Sequence, residues 1–298
     1  MKLVCITPNS KHDYLASSII EGLKLANHEL YCSDIGNGID VSYSDAEIVH
    51  HAKDADYIFV LWGKVNTNNP PKYYLLDLIN RKDRTVYIDG SELTYTGHKG
   101  NDPWLNPSML LKCKWYFKRE CTSTDKDVGI IPLPFASVSD YFKTNKFNDD
   151  KKIDLLCTWG ANHSTGLRPG CTYIANQFKK HGYNVVTNYQ NDYYKSISDS
   201  WIVLDSYGGG QCNARLWQIA ANYSLPCIQK WTIEYPNSFI DGTDILEYNS
   251  TSNLYDVLLK YISDKQKIKD MTLKCFEKVS TYHTPIARVN YILNKINQ

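Results

Sequence analysis

Short apolar runs alternate along this chain with stretches whose apolar residues recur at helical spacing. KLVCIT near the amino end predicts a strand, YLASSIIEGLKLANH a helix with one apolar face, and HELYCSD a second strand. DADYIFVLWG predicts a buried strand, PPKYYLLDLIN a helix with proline at its start, and RTVYIDG another strand. The rhythm resumes later. KIDLLCTWG, YNVVTN, SWIVLDSYG, LPCIQKW and DILEYN read as strands, and TYIANQFKKHG, the RLWQIAANY run and NLYDVLLKYISD as the helices between them. Strand–helix alternation of this kind predicts parallel sheets covered by helices on both faces. Between the two sets, VSDYFKTNKFNDDKK (about 137–152) is polar, charged and weakly periodic, and predicts a linker. HTPIARVNYILNKINQ predicts a closing amphipathic helix after a proline.

The expected fold class is therefore α/β, with two similar halves. The boundaries read as 1–140, 150–282 and a C-terminal helix over 283–298. Two such halves facing each other leave a cleft, and ligands of open α/β sheets bind outside the carboxyl ends of the strands. A chain of 298 residues is too long for one comfortable core and suits two domains.

Composition narrows the function classes. Net charge is +1, so no basic excess argues for nucleic acid and no charged tail for a membrane surface. No apolar stretch approaches the ~20 residues of a membrane span. MKLVCITPNS reads as a first strand, not a signal peptide, and a cytoplasmic location is expected. Nine cysteines form no C-x-x-C pair and are odd in number, which predicts reduced, mostly buried thiols and neither a disulfide framework nor a zinc site.

The strongest local signal is SYGGGQCNARLWQIAANYSLPCI, from Ser206 to Ile228. Glycines 208, 209 and 210 precede a helix, whose first backbone N–H groups are unsatisfied and whose dipole favours an anion. Arg215 can add a charge-assisted bond to a phosphate, and Gln218, three residues on, can bond a sugar hydroxyl. A tight turn followed by a surface arginine is the competing reading. The string is neither a Walker loop nor a G-x-G-x-x-G fingerprint.

R-L-W-Q-I-A-A followed by S-L-P-C-I resembles the donor-site helix of glycosyltransferases with two Rossmann-like domains, the GT-B fold. The resemblance is closest to the CgeB-like (spore-maturation-protein-like) group, with some similarity to exostosin-type sequences. It extends to IDLLCTWGANHSTGLRPG, to the aromatic-rich NDYYKSISDS before SWIVLDSYGGG, to WYFKRE with IIPLPF, and to HTPIAR. Together these cover roughly 110–298. The first hundred residues resemble the group only in their alternation.

The resemblance implies transfer of a sugar from a nucleotide-sugar (UDP-, GDP- or dTDP-linked) to a hydroxyl acceptor such as a glycan, with no cofactor and no metal. It implies a donor-binding set of Gly160, His163, Arg168, Tyr207, Gly208, Gly209, Gly210, Asn213, Arg215 and Gln218. It also implies a last helix that crosses back to the first domain. One departure stands out: the helix carboxylate that commonly holds the donor ribose in the family is Gln218 here. A non-catalytic nucleotide- or glycan-binding protein and a nucleotide-sugar epimerase are the alternatives on the same fold.

An inverting transferase needs a base for the acceptor hydroxyl. Asp89, Glu92 and His98 follow a strand of the first half and are the candidates, although Asp89-Gly90 also reads as a turn. Glu120 of WYFKRE reads as structural, whereas Lys118 and Arg119 either line the cleft or make ion pairs. His283 and Arg288 either cap and solvate the last helix or sit where it crosses back. Asp54-Ala55-Asp56 precedes a buried strand and reads as a turn rather than a metal site.

Overall fold

The computed structural model describes residues 1–8, 14–62, 71–91, 105–159, 166–188, 191–208 and 210–298. The chain divides into two units. The first is Met1–Ala136 with Ile233–Pro236 and Thr284–Gln298; the second is Ser137–Thr232 with Asn237–His283.

The first unit holds the strands β1 (Lys2–Ile6), β2 (Glu29–Cys32), β3 (Tyr57–Trp62), β4 (Thr85–Asp89), β5 (Trp115–Lys118) and β6 (Ile131–Pro132). They form one parallel sheet in the order β2-β1-β3-β4-β5-β6. Its helices are α1 (Tyr14–Leu25), α2 (Asp45–Ala52), α3 (Leu75–Ile79), α4 (Pro107–Lys112) and α5 (Ser123–Asp127). Leu3, Val4, Cys5 and Ile6 of β1 are all fully buried, as a strand covered on both faces requires. Helix α2 starts at a reciprocal cap: Ser44 N–H donates to Glu47 Oε2 at 2.8 Å, and Glu47 N–H to Ser44 Oγ at 3.4 Å.

The second unit holds β7 (Ile153–Leu156), β8 (Val185–Val186), β9 (Ser200–Asp205), β10 (Leu225–Gln229) and β11 (Leu246–Tyr248), parallel in the order β11-β10-β9-β7-β8. Its helices are α6 (Arg168–Lys180), α7 (Tyr193–Ser198), α8 (Ala214–Ala221), α9 (Thr251–Tyr261) and α10 (Lys265–Tyr282). Strand β9 feeds both faces, because successive side chains point to opposite sides. Ile202 and Leu204 join a cluster with Leu155 and Cys157, while Val203 joins another with Leu156, Ile197 and Ile219.

The stretch read as a linker packs on the second unit. Ser137 N–H donates to His283 O at 2.7 Å, Asn222 Nδ2 to Tyr141 O at 2.7 Å, and the ammonium of Lys151 is buried against Ser198 O and Ser224 Oγ. These contacts are polar and directed at backbone, so no apolar period announces them.

Helix α11 (Pro285–Ile296), capped by Thr284, returns the chain to the first unit and packs along α1. Gly22 of α1 makes this approach close: a Cβ there would lie 2.3 Å from Pro285 O. Arg288 and His283 are both buried and do not solvate the helix end. Arg288 donates through Nε and Nη2 to Phe135 O at 3.2 and 3.0 Å. His283 stacks on Phe239, with its Nε2 3.0 Å from Asn237 O. All nine cysteines are buried and unbridged. Among the described residues no helix is long and apolar enough to cross a membrane.

Candidate functional site

In the second unit the strand order reverses between β7 and β9: β8 lies to one side of β7, and β9, β10 and β11 follow on the other. A sheet of this kind opens a crevice at the carboxyl ends of the two strands flanking the reversal. The residues there are Thr158 and Trp159 after β7, and Asp205 and Ser206 at the end of β9.

Asn213 joins the strand end to the next helix. Its Oδ1 accepts from Arg215 N–H at 2.8 Å, which caps α8. Its Nδ2 donates to Asp205 Oδ1 at 3.1 Å and Ser206 O at 3.4 Å. One amide thus fixes the start of α8 against the end of β9.

Two arginines flank one indole. Arg215 Cζ lies 5.2 Å from the Trp159 ring centroid and Arg168 Cζ 5.3 Å from it. Trp159 is buried and held in place by its own Nε1, which donates to Thr172 Oγ1 at 2.9 Å. Each guanidinium gains from the ring's negative face. Arg215 also donates from Nη2 to Thr158 Oγ1 at 3.2 Å and sits 5.6 Å from the Tyr193 ring, while its buried Nε has no hydrogen-bond partner. Arg168 is the first residue of α6, and its Nη2 reaches Ser206 O at 3.5 Å. Burial lowers the pKa of Arg168; Asp205 opposes that shift and the neighbouring Arg215 adds to it. Arginine nevertheless stays charged across the working range of proteins.

Asp205 completes the group. It is buried, and burial pushes its pKa up to about 6 against the pull of Arg215, Asn213 and Arg168. The sequence reading missed Asp205 and Trp159. The available signal was a lone carboxylate ending an otherwise apolar strand, and an aromatic just after another.

Gln218 faces α7. Tyr193 OH donates to its Oε1 at 3.2 Å, and its Nε2 donates to Tyr194 OH at 3.3 Å. An amide can accept from one phenol and donate to the other; a carboxylate can only accept. Gly208 has ordinary backbone rather than a left-handed φ. What its missing side chain provides is room: a Cβ would sit 3.4 Å from Arg168 Nη2. The Tyr207 side chain turns toward β10, its hydroxyl donating to Lys230 O with Gln211 Oε1 3.3 Å away.

The structure therefore gathers Arg168, Gly208, Asn213 and Arg215 at one strand-end crevice, with Gln218 linked to it through Tyr193. Gly210 lies in the same loop, its carbonyl accepting from Gly208 N–H at 3.0 Å. Gly160, His163, Gly209, Glu92 and His98 lie outside the described residues. Asp89 belongs to the first unit, where it is buried at the end of β4. Its Oδ1 accepts from Ser91 N–H at 2.8 Å, its Oδ2 accepts from Tyr116 OH, and burial raises its pKa. Lys118 and Arg119 are buried ion-pair members, to Asp125 at 3.1 Å and Glu120 at 3.5 Å. Asp54 and Asp56 are both held by Lys2, through its side-chain and backbone nitrogens.

Residues 159–294 match a family model described as glycosyl transferase-like. No curated protein matches the chain. Among solved structures, a glycosyltransferase from Rickettsia africae superposes with a TM-score of 0.64 at 10% identity, over 99% of this chain and 97% of that one. Anabaena HepE in complex with UDP and glucose gives 0.63 at 12% identity, over 100% and 99% of the two chains. The UDP-GlcNAc 2-epimerase of Neisseria meningitidis bound to UDP-GlcNAc gives 0.54 at 14%, over 100% and 99%. At such identities the likeness establishes the fold: two Rossmann-like domains of the GT-B type.

Proposed function

We propose that this chain is a glycosyltransferase that binds a nucleotide-sugar at the β7–β9 crevice of its second unit and passes the sugar to a hydroxyl acceptor. The observation that carries the reading is the pair of guanidiniums on one buried indole at the point where the strand order reverses. Two fixed cations this close repel each other, and the arrangement is favourable when a dianion joins them. A nucleoside diphosphate supplies that dianion. The start of α8 adds the positive end of its helix dipole. The glycosyl transferase-like match over 159–294 and the UDP-sugar ligands of structurally similar proteins support the same class of ligand.

In this reading Arg168 and Arg215 have two roles. They hold the diphosphate in the ground state, and they stabilise the charge that grows on it as the glycosidic bond breaks. Guanidiniums in those places make a divalent cation unnecessary for leaving-group departure. Tyr193, whose ring lies 5.6 Å from Arg215 Cζ and whose hydroxyl bonds Gln218, is the candidate to meet the ribose. Asp89 is already engaged by Ser91 and Tyr116, so we assign it to holding its turn and look to Glu92 and His98 for the acceptor base. The narrower placement in the CgeB-like group rests on the residue strings of 110–298.

The test is thermal stability in the presence of UDP-, GDP- and dTDP-sugars, with and without EDTA. A ligand that binds the folded state raises its melting temperature by mass action. One nucleotide family should stabilise the wild type, with or without EDTA, and fail to stabilise Arg215→Ala. No shift with any donor at millimolar concentration overturns the reading. The epimerase alternative, favoured by the Neisseria likeness, converts donor without an acceptor; acceptor-linked product decides between the two.

A further inference from the structure

Asp205 carries negative charge at the place where the proposed ligand is also negative. It cannot swing away freely, because the amide that bonds it also caps α8. The guanidinium bonds go elsewhere, from Arg215 to Thr158 and from Arg168 to Ser206 O, so the carboxylate acts on both arginines through space. Among the described residues of the crevice, two cations and one carboxylate leave a single net positive charge. A diphosphate with two negative charges reverses that sign while Asp205 is ionised, and balances it once Asp205 is neutral.

The groups around Asp205 leave it as the one that can titrate near neutrality among the described residues. Helix α6 presents Arg168 and Cys171, α8 presents Arg215, and β11 presents Tyr248, whose hydroxyl donates to Asp205 O at 2.8 Å. Burial pushes Cys171 up to about 11 and Tyr248 well above its ordinary value. The arginines stay charged. The loop after β7 contributes the neutral Thr158 and Trp159.

Resting on the donor reading above, we propose that Asp205 takes up one proton from solvent when a nucleotide-sugar binds. The ionised carboxylate is a negative charge already beside the two guanidiniums, and the diphosphate displaces its charge, not its side chain. Burial already brings the carboxyl to about 6, so the added negative charge of the ligand has only a short way to lift it. Uptake makes affinity fall as pH rises through the interval between the free and bound titrations.

The experiment is titration calorimetry of wild type with UDP-glucose, GDP-mannose and dTDP-glucose, at several pH values and in buffers of different ionisation heat. Diphosphate diesters of this kind have no titrating group of their own near neutrality, so protons counted belong to the protein. Uptake approaching one proton is expected for the donor that binds, with affinity falling by up to ~10-fold per pH unit above about 6. Asp205→Asn should take up none, and should bind at pH 8 as tightly as wild type does at pH 6. Binding without uptake, or uptake that persists in Asp205→Asn, overturns the proposal. No binding by any of the three overturns the donor reading itself and takes the proposal with it. If Asp205→Asn does not fold, the wild-type proton count decides alone.

Discussion

The two units use the same strand order and do different things with their charges. Leaving aside β6, the first sheet runs β2-β1-β3-β4-β5 and the second β8-β7-β9-β10-β11, so each reverses beside its first strand. At the first unit's reversal Thr7 N–H donates to Ser33 Oγ at 3.1 Å and Thr7 Oγ1 to Asp34 O at 3.3 Å, while the Asp34 carboxylate accepts from Ser33 Oγ at 2.8 Å and pairs with Lys72 Nζ at 3.7 Å. Around the end of β5 that unit holds buried ion pairs, Lys118 with Asp125 and Arg119 with Glu120. At the second unit's reversal two arginines share one indole, with the buried Asp205 carboxylate at the same strand end. Topology supplies a crevice in both cases. Carboxylate–cation pairs answer each other in the first unit, whereas cations outnumber carboxylates among the described groups at the second unit's crevice.

That contrast can be broken by substitution. Lys118→Met should give the largest effect, a loss of roughly 3–5 kcal/mol of stability, because it strands a buried carboxylate. Scanning calorimetry reads it, and a loss under 1 kcal/mol would show the first unit's charges to be no more matched than the second's. Arg168→Ala and Arg215→Ala should instead weaken donor binding by about 1.5–3 kcal/mol each, the worth of a charged hydrogen bond, with little change in ligand-free stability. Equilibrium binding beside a melting curve separates the two effects.

Asp205→Asn should stabilise the ligand-free protein by up to about 3 kcal/mol above pH 6. Folded Asp205 holds its proton more tightly than the unfolded chain does, since its pKa is raised to about 6. Wild-type stability therefore falls as pH rises from the ordinary carboxylate range to about 6, then stays level. The variant escapes that fall, and its advantage should vanish as pH drops toward 4 in denaturant titrations. Gln218→Glu should have the smallest effect. It loses one donor to Tyr194 and gains a charged acceptor, so stability should change by less than about 1 kcal/mol and donor affinity by at most ~10-fold. A larger gain would mean that the ribose reaches this side chain directly.

Strands β1 to β4 and β7 to β11 were legible because continuous apolar runs have few other uses. Helix α2 was passed over although Ser44-Asp45-Ala46-Glu47 carries its cap signal, since only Ile48 and Ala52 are buried and the apolar stripe is thin. Helix α10 was missed for a related reason: KQKIKDMTLKCFEKVSTY spreads a few apolar residues among lysines. Of the site, Arg215 could be read because it follows the glycines at a helix start, and Arg168 and Asn213 through the resemblance of the strings that hold them. Trp159 and Asp205 could not, because their meaning comes from the exchange of strand order that makes β7 and β9 neighbours. The Tyr193–Gln218 bond depends on how α7 lies on α8, which no local pattern records.

The contact between Gly22 and Pro285 has a consequence for biosynthesis. The first unit draws on Met1–Ala136 and Thr284–Gln298, with the short Ile233–Pro236, so the second unit is made between its two main pieces. Until residue 284 emerges, α1 has no α11 to cover it. A nascent chain paused before that point presents an apolar helix face to chaperones and proteases, while the second unit already has all of its own sequence. Substitutions that slow the docking of α11, such as a side chain at Gly22, should therefore lower the yield of protein in cells more than they lower the activity of the molecules that finish folding.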